Sequence, residues 1–298
     1  MAAYLTSIAV TAGIYALMAL GVNLTWGLAG MINLGLAGFF AVGAYTTALL
    51  TKAGWPIPLG VAAAAVSAAA TGALVAVITA RLRSDYLAIV TLGFSESVRI
   101  AAANEIWLTN GSDGIAGIPG PWRGIISPQA FEQCYLVIVL AVLAVTFLLL
   151  QRLSRAPFGR VLRAIRDDED VAAVAGKHVL AFKVQAFALG AAVLGIAGAL
   201  YAHDTSYVAP DIFAPLLTLN IILALVAGGL GNNSGAVLGA ALIVALLEGT
   251  RFIAPLLWFL TPAREAAMRE LLISVLLLIM LRLLPGGIWP ERAGETAR

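Results

Sequence analysis

Chemically reactive side chains are scarce in this 298-residue sequence, and the densest group of them lies near the middle of the chain. Residues 155–179 read "RAPFGRVLRAIRDDEDVAAVAGKHV" and contain five arginines and lysines and four consecutive acids. The whole chain has one cysteine, Cys134, and two widely spaced histidines, so neither a disulfide within the chain nor a cysteine or histidine metal site is expected. Ionic contact with a surface or a partner is the chemistry that this stretch favours.

A second ionic candidate stands in apolar surroundings. Glu96 and Arg99 are three residues apart in "SDYLAIVTLGFSESVRI", so on a helix their side chains lie on neighbouring positions of one face. Two interpretations are open for these residues, because an isolated charge in lipid is costly. The two charges neutralise each other as a structural pair, or they line a route for a zwitterionic solute.

The composition defines the class of protein. Mean hydropathy is +0.96 and only 11% of the residues are charged, which leaves too few polar side chains to cover a water-soluble globule of this size. Apolar runs recur at the length of about 20 residues that a helix needs to cross about 30 Å of hydrocarbon, and they lack the two-residue alternation of barrel strands. The sequence therefore predicts an all-α integral membrane protein, a polytopic bundle of about eight to ten transmembrane helices forming one domain.

The hydropathy pattern places the spans and their connections. We predict spans at residues 4–26, 32–52, 57–80, 85–104, 134–151, 181–202, 216–231, 235–256 and 268–284. The segment 216–231 is short and ends in glycines, which suggests a broken or re-entrant helix. No basic residue precedes Lys52, so the first span is expected to be a retained helix rather than a cleaved signal peptide.

The distribution of basic residues predicts the orientation in the membrane. Seven arginines and lysines lie between Gln151 and Lys183, and cytoplasmic loops carry such an excess. The loop at about 152–180 is therefore expected in the cytoplasm, together with the tail at about 285–298. The loop at about 105–133 and the N-terminus are expected outside.

The charged loop itself is expected to contain a short amphipathic helix. Phe158, Leu162 and Ile165 follow helical spacing over residues 158–175, and Gly176 is well placed to end the helix as a C-cap. One interpretation is an anchor on anionic lipid headgroups. The four acids argue against it, because they would repel that surface, and mixed charge favours docking on a soluble protein.

Five blocks of the sequence resemble, in the same order, the permeases of branched-chain amino acid ABC transporters of the LivM type. The blocks are "INLGLAGFFAVGAYTTALL" (32–50), "SDYLAIVTLGFSESVRI" (84–100), "TNGSDGIAGIP" (109–119), the charged stretch "RAPFGRVLRAIRDDEDVAAVAG" and "GGLGNNSGAVLGAALIVALLE" (228–248). The resemblance covers residues from about 20 to 285. It implies a permease subunit of an importer in a bacterial cytoplasmic membrane, with branched-chain amino acids as the solutes.

The resemblance also implies partners. They are a second homologous permease subunit, two cytoplasmic ATPases, a soluble binding protein outside and the lipid bilayer, with no nucleic acid. The chain itself is expected to be no enzyme and to bind no cofactor, with ATP hydrolysed by the partner subunits. The sequence has no G-x-x-x-x-G-K-[ST] phosphate loop. The positions that the resemblance assigns to the ATPase contact are Phe158, Gly159, Arg160, Arg163, Ala164, Arg166, Asp168, Glu169 and Gly176.

A solute pathway is expected where glycines and polar residues interrupt the spans. "GLAG" (27–30) followed by "INLG" (32–35) favours an unwound turn whose freed backbone groups line a polar cavity. We predict a pathway lined by Asn33, Gly35, Thr91, Gly93, Glu96 and Arg99.

Other functions remain open at this point. Relatives of this permease type carry other amino acids, amides, urea or aromatic acids, and the sequence does not choose among them. A self-contained secondary transporter would need an ion relay, which the sparse acids within the spans fit poorly. A membrane scaffold or enzyme is the third alternative, and for it no nucleophile, metal or acid–base group has a convincing spacing within the spans.

Overall fold

The computed structural model describes residues 2–79, 82, 84–253, 271, 274–275, 278, 282, 284 and 286–291. The elements in chain order are α1 (Ala2–Val22), a π-helical segment (Asn23–Leu28), α2 (Leu36–Lys52), α3 (Ile57–Thr79), α4 (Ser84–Asn104), α5 (Ile106–Thr109), a 3₁₀ turn (Gly111–Asp113), β1 (Ile115–Ala116), α6 (Pro128–Arg155), α7 (Pro157–Asp167), α8 (Glu169–Val174), α9 (Val179–Thr205), β2 (Tyr207–Val208), a 3₁₀ turn (Pro210–Phe213), α10 (Pro215–Gly228) and α11 (Asn233–Ile253).

Helices coincide with eight of the nine predicted spans, and the all-α fold class is confirmed. Within the described residues, five helices are long and apolar enough to cross a membrane: Tyr4–Leu28, Ile57–Thr79, Tyr86–Asn104, Pro128–Arg155 and Val179–Thr205. The predicted ninth span, 268–284, lies largely outside the described residues. The chain is a multi-pass membrane protein.

Helix ends differ from the hydropathy prediction where capping residues decide them. The outer loop was predicted to reach residue 133, but α6 begins at Pro128 because the Ser127 hydroxyl caps it by accepting from the Ala130 amide. The short segment predicted at 216–231 is a 14-residue helix, α10. At about 1.5 Å per residue it covers only about 21 Å, less than the hydrocarbon thickness. Gly229 ends α10 with a φ of 123°.

The centre of the bundle is formed by α2, α3 and α9, which approach closely through glycines and alanines. A Cβ built at Gly195 of α9 would lie 2.5 Å from the Ala64 carbonyl oxygen of α3, and one at Gly43 of α2 would lie 2.3 Å from the Gly195 carbonyl oxygen. Small residues therefore allow the backbones to touch, as expected where lipid supplies no hydrophobic drive for helix association.

The outer loop is fastened to the end of α9. β1 and β2 pair antiparallel, with Ile115 opposite Val208. The Pro119 carbonyl can only accept, so His203 Nδ1 donates to it at 2.7 Å, while His203 Nε2 lies 2.9 Å from the Thr47 hydroxyl of α2. These contacts hold the loop against the ends of α2 and α9 rather than leaving it as a loose connection.

Candidate functional site: coupling surface and solute pathway

The charged loop after α6 contains two helices, where the sequence predicts one over residues 158–175. α7 ends at Asp167 and α8 begins at Glu169, and the helical path breaks at Asp168, whose φ is −158° and ψ 111°. The Asp168 carboxylate accepts from the backbone amides of Asp170 and Val171, both at 3.0 Å. The single-helix prediction was wrong because an aspartate is a preferred N-cap and here starts a new helix.

α7 packs against the bundle by its apolar face. Leu162 and Ile165 are buried, and the ring of Phe158 lies 5.5 Å from the ring of Phe182 on α9. Gly159 is a close-contact position, since a Cβ there would lie 2.2 Å from the Ser154 carbonyl oxygen. The apolar face of the loop is therefore part of the fold.

Two of the predicted coupling arginines also face the protein. Arg163 is only 6% exposed, and its Nε donates to Glu291 Oε1 at 3.0 Å. Arg166 Nη1 donates to Glu291 Oε2 at 2.9 Å and to the Gly27 carbonyl oxygen at 2.5 Å. The contact with Glu291 is not predictable from the local sequence, because Glu291 lies 125 residues beyond Arg166 and 128 residues beyond Arg163. From the sequence, that segment is predicted only as a cytoplasmic tail.

A polar network continues from this ion cluster into the adjacent ends of the spans. Asn23, in the π-helical segment, donates to Asn233 Oδ1 at 2.9 Å and accepts from the Gly231 amide at 2.9 Å. Asn233 in turn donates to the Gln151 side chain of α6 at 3.0 Å. The network joins the end of α1, the α10–α11 turn and the end of α6 into one unit, the inner hub (Asn23, Gln151, Gly231, Asn233 and the Arg163–Arg166–Glu291 cluster).

The other face of the loop is open. A groove of about 570 Å³ lies between α7 and α8, with Arg160, Ala164 and Asp168 among its lining residues. Val171 is 64% exposed and Val174 is 90% exposed on α8. Of the other predicted coupling residues, Glu169 is 2.5 Å from Lys183 Nζ. Gly176 follows Ala175, the C-cap residue of α8, and its φ of 77° ends the helical path, in agreement with the prediction that a glycine stops the helix there.

The predicted unwound turn after the first span is present. The chain is π-helical over Asn23–Leu28 and non-helical over residues 29–35. Asn33 is 1% exposed and its Oδ1 accepts from the Gly35 amide at 2.8 Å, while the Leu34 amide donates to Thr91 Oγ1 of α4 at 3.0 Å. Within the described chain, Asn33 Nδ2 is buried without a hydrogen-bond partner. The structure therefore brings three predicted pathway residues, Asn33, Gly35 and Thr91, together.

The remaining three predicted pathway residues lie elsewhere on α4. Arg99 contacts Glu96 through two bonds, Nε to Oε2 at 2.9 Å and Nη2 to Oε1 at 2.5 Å. The two side chains are 27% and 35% exposed, near the middle of a helix that could cross the membrane. Gly93 is exposed, and no atom of the described chain approaches within 4 Å of a Cβ built there. These residues form an outward face, which we call the α4 face (Gly93, Glu96 and Arg99).

The bundle, its interrupted first span and the helical loop of α7 and α8 define a polytopic transport-type membrane protein. Comparison with known families is more specific: residues 4–281 match the family described as the permease component of the branched-chain amino acid transport system, and the chain belongs to that family.

Individual relatives support the same assignment. The chain is 36% identical to the high-affinity branched-chain amino acid transport system permease protein LivM of Salmonella typhimurium, over 79% of this chain and 61% of that protein. It is 28% identical to a probable LivM of Methanocaldococcus jannaschii, over 94% of this chain and 91% of that protein. It is 27% identical to the L-arabinose ABC transporter permease protein AraH of Azospirillum brasilense, over 74% of this chain and 63% of that protein. The chain thus spans about three fifths of the length of the Salmonella relative. No solved structure matches it significantly.

Proposed function

We propose that this chain is the membrane-spanning permease subunit of an ATP-driven importer for branched-chain amino acids. The observation that carries the proposal is the two-faced cytoplasmic loop in a chain of this permease family. One face of α7 is built into the bundle, while Val171 and Val174 of α8 expose apolar surface beside a mixed-charge groove. Exposed apolar residues with both signs of charge around them suit a protein partner better than a lipid headgroup layer.

The partner that this surface fits is a cytoplasmic ATPase, which would hydrolyse ATP for the importer while this chain binds no cofactor of its own. A second permease subunit and an external binding protein complete the assembly that we propose. The loop containing α7 and α8 then lies in the cytoplasm, and the fastened outer loop lies outside, where it can receive the binding protein. Direct contacts to the ATPase are proposed for Arg160, Ala164, Asp168, Glu169 and Gly176, and Phe158, Gly159, Arg163 and Arg166 support them from within the fold.

The α4 face is our proposed lining of the solute pathway. An ion pair near the middle of a span is costly against lipid, so this face requires water or a protein partner on its outer side. A second permease subunit opposite α4 would enclose a polar channel there. An amino acid carries an ammonium and a carboxylate, which Glu96 and Arg99 complement, and the two side chains neutralise each other when no solute is present.

A second solute class has one specific observation in its favour. The relative from Azospirillum brasilense is named as an L-arabinose permease, so proteins similar to this chain include a sugar transporter. An uncharged sugar would not need the complementary charges of Glu96 and Arg99. The charged pair on the α4 face therefore favours the amino acid.

The test is uptake of labelled leucine, isoleucine and valine by cells that carry this chain with its partner subunits, compared with cells that lack only this chain. We expect saturable uptake that survives collapse of the proton gradient by a protonophore and disappears when ATP is depleted. Labelled L-arabinose serves as the competing solute. Uptake that requires the proton gradient and persists without ATP would refute the proposal in favour of a secondary transporter.

A further inference from the structure

The segment 286–291 is bonded to both α10 and α7, which lie at the same end of the bundle. Its backbone runs against the end of α10: the Ile288 amide donates to the Ala227 carbonyl at 2.9 Å, and the Trp289 amide donates to the Gly228 carbonyl at 2.9 Å. These carbonyls belong to the last turn of the helix and have no partner within it. We call residues 286–291 the strap.

The strap ends in the carboxylate that holds α7. Glu291 contacts Arg163 at 3.0 Å and Arg166 at 2.9 Å, and its own side chain is 21% exposed. Both oxygens are used, one for each arginine, so the charge of Glu291 is shared by two successive turns of the loop helix. A shift of α7 must therefore pull on the strap or break these bonds.

Arg166 carries the connection to the first span. Besides Glu291, it donates to the Gly27 carbonyl, which lies in the π-helical segment just before the non-helical residues 29–35. A Cβ built at Gly30 would lie 2.8 Å from Arg166 Cγ, so the side chain is packed onto this segment as well as bonded to it. Arg166 thus links the strap, through Glu291, to the segment that precedes Asn33, through Gly27.

We propose that Glu291 is a positioning residue that transmits movement of the α7–α8 loop to both the α10–α11 turn and the interrupted first span. The inference rests on the proposed importer function, because the movement is that of the loop when an ATPase drives it. The physical basis is that Glu291 is the carboxylate that contacts both Arg163, which is buried, and Arg166, whose other acidic partner, Asp167, lies farther away at 3.4 Å. Without its charge the strap and α7 would move independently, so ATP hydrolysis would continue with less solute moved per ATP.

The experiment uses the complete complex, reconstituted in proteoliposomes with its ATPase and binding protein. In the Glu291→Gln variant we expect solute uptake per ATP hydrolysed to fall by about fivefold or more, the scale of a typical coupling between sites, with the ATPase still co-purifying. Glu291→Asp keeps the charge and should retain most of the coupling. The matched control is Glu248→Gln, since Glu248 accepts from Tyr4 at 2.8 Å and ties α11 to α1 at the other end of the bundle. That control should leave uptake per ATP unchanged.

A second readout does not depend on transport. Hydrogen exchange at the Ile288 and Trp289 amides should become faster in Glu291→Gln and stay slow in Glu248→Gln, because only the first substitution releases the strap. Unchanged exchange in Glu291→Gln, or unchanged uptake per ATP, would overturn the inference. A fall in uptake explained entirely by loss of bound ATPase would also overturn it, since Glu291 would then serve docking alone. Absence of ATP-driven uptake by the unmodified complex would instead refute the proposed function, and the exchange result would still decide whether Glu291 holds the strap.

Discussion

Two ionic clusters in this protein are built in opposite ways. The inner cluster joins Arg163 and Arg166 to Glu291 across 125 or more residues of sequence, and it bonds α7, the strap and the first span together. The α4 pair joins Glu96 to Arg99 within one turn of one helix. Within the described chain, the α4 pair makes no hydrogen bond or ion pair to any other element. One cluster bonds separate elements of the fold to one another, while the bonds of the other stay within one helix.

This difference indicates that the charges of the inner cluster support the fold, whereas those of the α4 pair serve the proposed transport. A buried cluster that loses one partner leaves an uncompensated charge inside the protein, which is strongly destabilising. A partly exposed pair at i and i+3 contributes little to stability. The comparison predicts that disrupting the inner cluster lowers stability first, whereas disrupting the α4 pair lowers transport first.

The largest effect on stability is expected from Arg163→Ala. The substitution removes the most buried member of the inner cluster, and Glu291 keeps only Arg166. We expect a loss of about 1–3 kcal/mol in the free energy of unfolding. The corresponding fall in the midpoint of thermal unfolding is about 3–8 °C, measured in detergent at one fixed scan rate.

Arg160→Ala is the matched control for this measurement, because Arg160 is an exposed arginine on the same helix. The midpoint of thermal unfolding of the Arg160→Ala variant should stay within about 1 °C of that of the unmodified protein, since exposed charges contribute little to stability. Equal losses for the two variants would show that the inner cluster has no special structural role, and the contrast between the two clusters would fail.

A smaller effect on stability, with a clear effect on transport, is expected from Glu96→Gln. The unfolding midpoint should change by about 1 °C or less. Uptake of labelled leucine should fall by about tenfold, equivalent to about 1.4 kcal/mol of lost interaction with the ammonium group of the solute. The insertion level is measured in the same membranes, so that a loss of protein is not mistaken for a loss of transport.

The double variant Glu96→Arg, Arg99→Glu sharpens this test. It preserves an ion pair at the same spacing and reverses its polarity along α4. A pair that serves only as internal neutralisation would tolerate the reversal and keep its transport rate. A pair that binds the two ends of a zwitterion would lose transport in the reversed arrangement, as in Glu96→Gln.

The contrast between local and long-range contacts also explains which features of the structure could be predicted from the sequence. The α4 pair, the helix end at Gly176 and eight spans were predicted because each depends on residues within about one helix length of one another. The break at Asp168 was missed because the apolar spacing of the loop continues through it, while its capping bonds to Asp170 and Val171 decide the structure. Glu291 was missed because no local pattern indicates which distant arginines a carboxylate will meet.

The pathway residues show the same limit. The unwound stretch before α2 was expected from its glycines, and the approach of Thr91 to Asn33 and Gly35 followed in the structure. Helical spacing then directs Gly93 away from that contact, so the six residues do not form a single surface. Only packing between α2 and α4 decides which side of each helix faces inward.

If the α7–α8 loop of this permease subunit docks on an ATPase, as we propose, substitution of the exposed α8 residues should abolish the docking. The variant is Val171→Lys, Val174→Lys, and the control is His178→Lys, an exposed position in the same loop. Both variants leave the Asp168 cap and the inner cluster intact, so neither should unfold the protein.

The added lysines would strengthen attachment to anionic lipid but would remove apolar anchors worth about 1–3 kcal/mol each when buried at an interface. The measurement is co-purification of the ATPase in detergent together with ATP-driven leucine uptake. We predict that co-purification and uptake are both lost in the double variant and retained in the control. Undiminished co-purification with full uptake in the double variant would show that α8 does not dock on the ATPase.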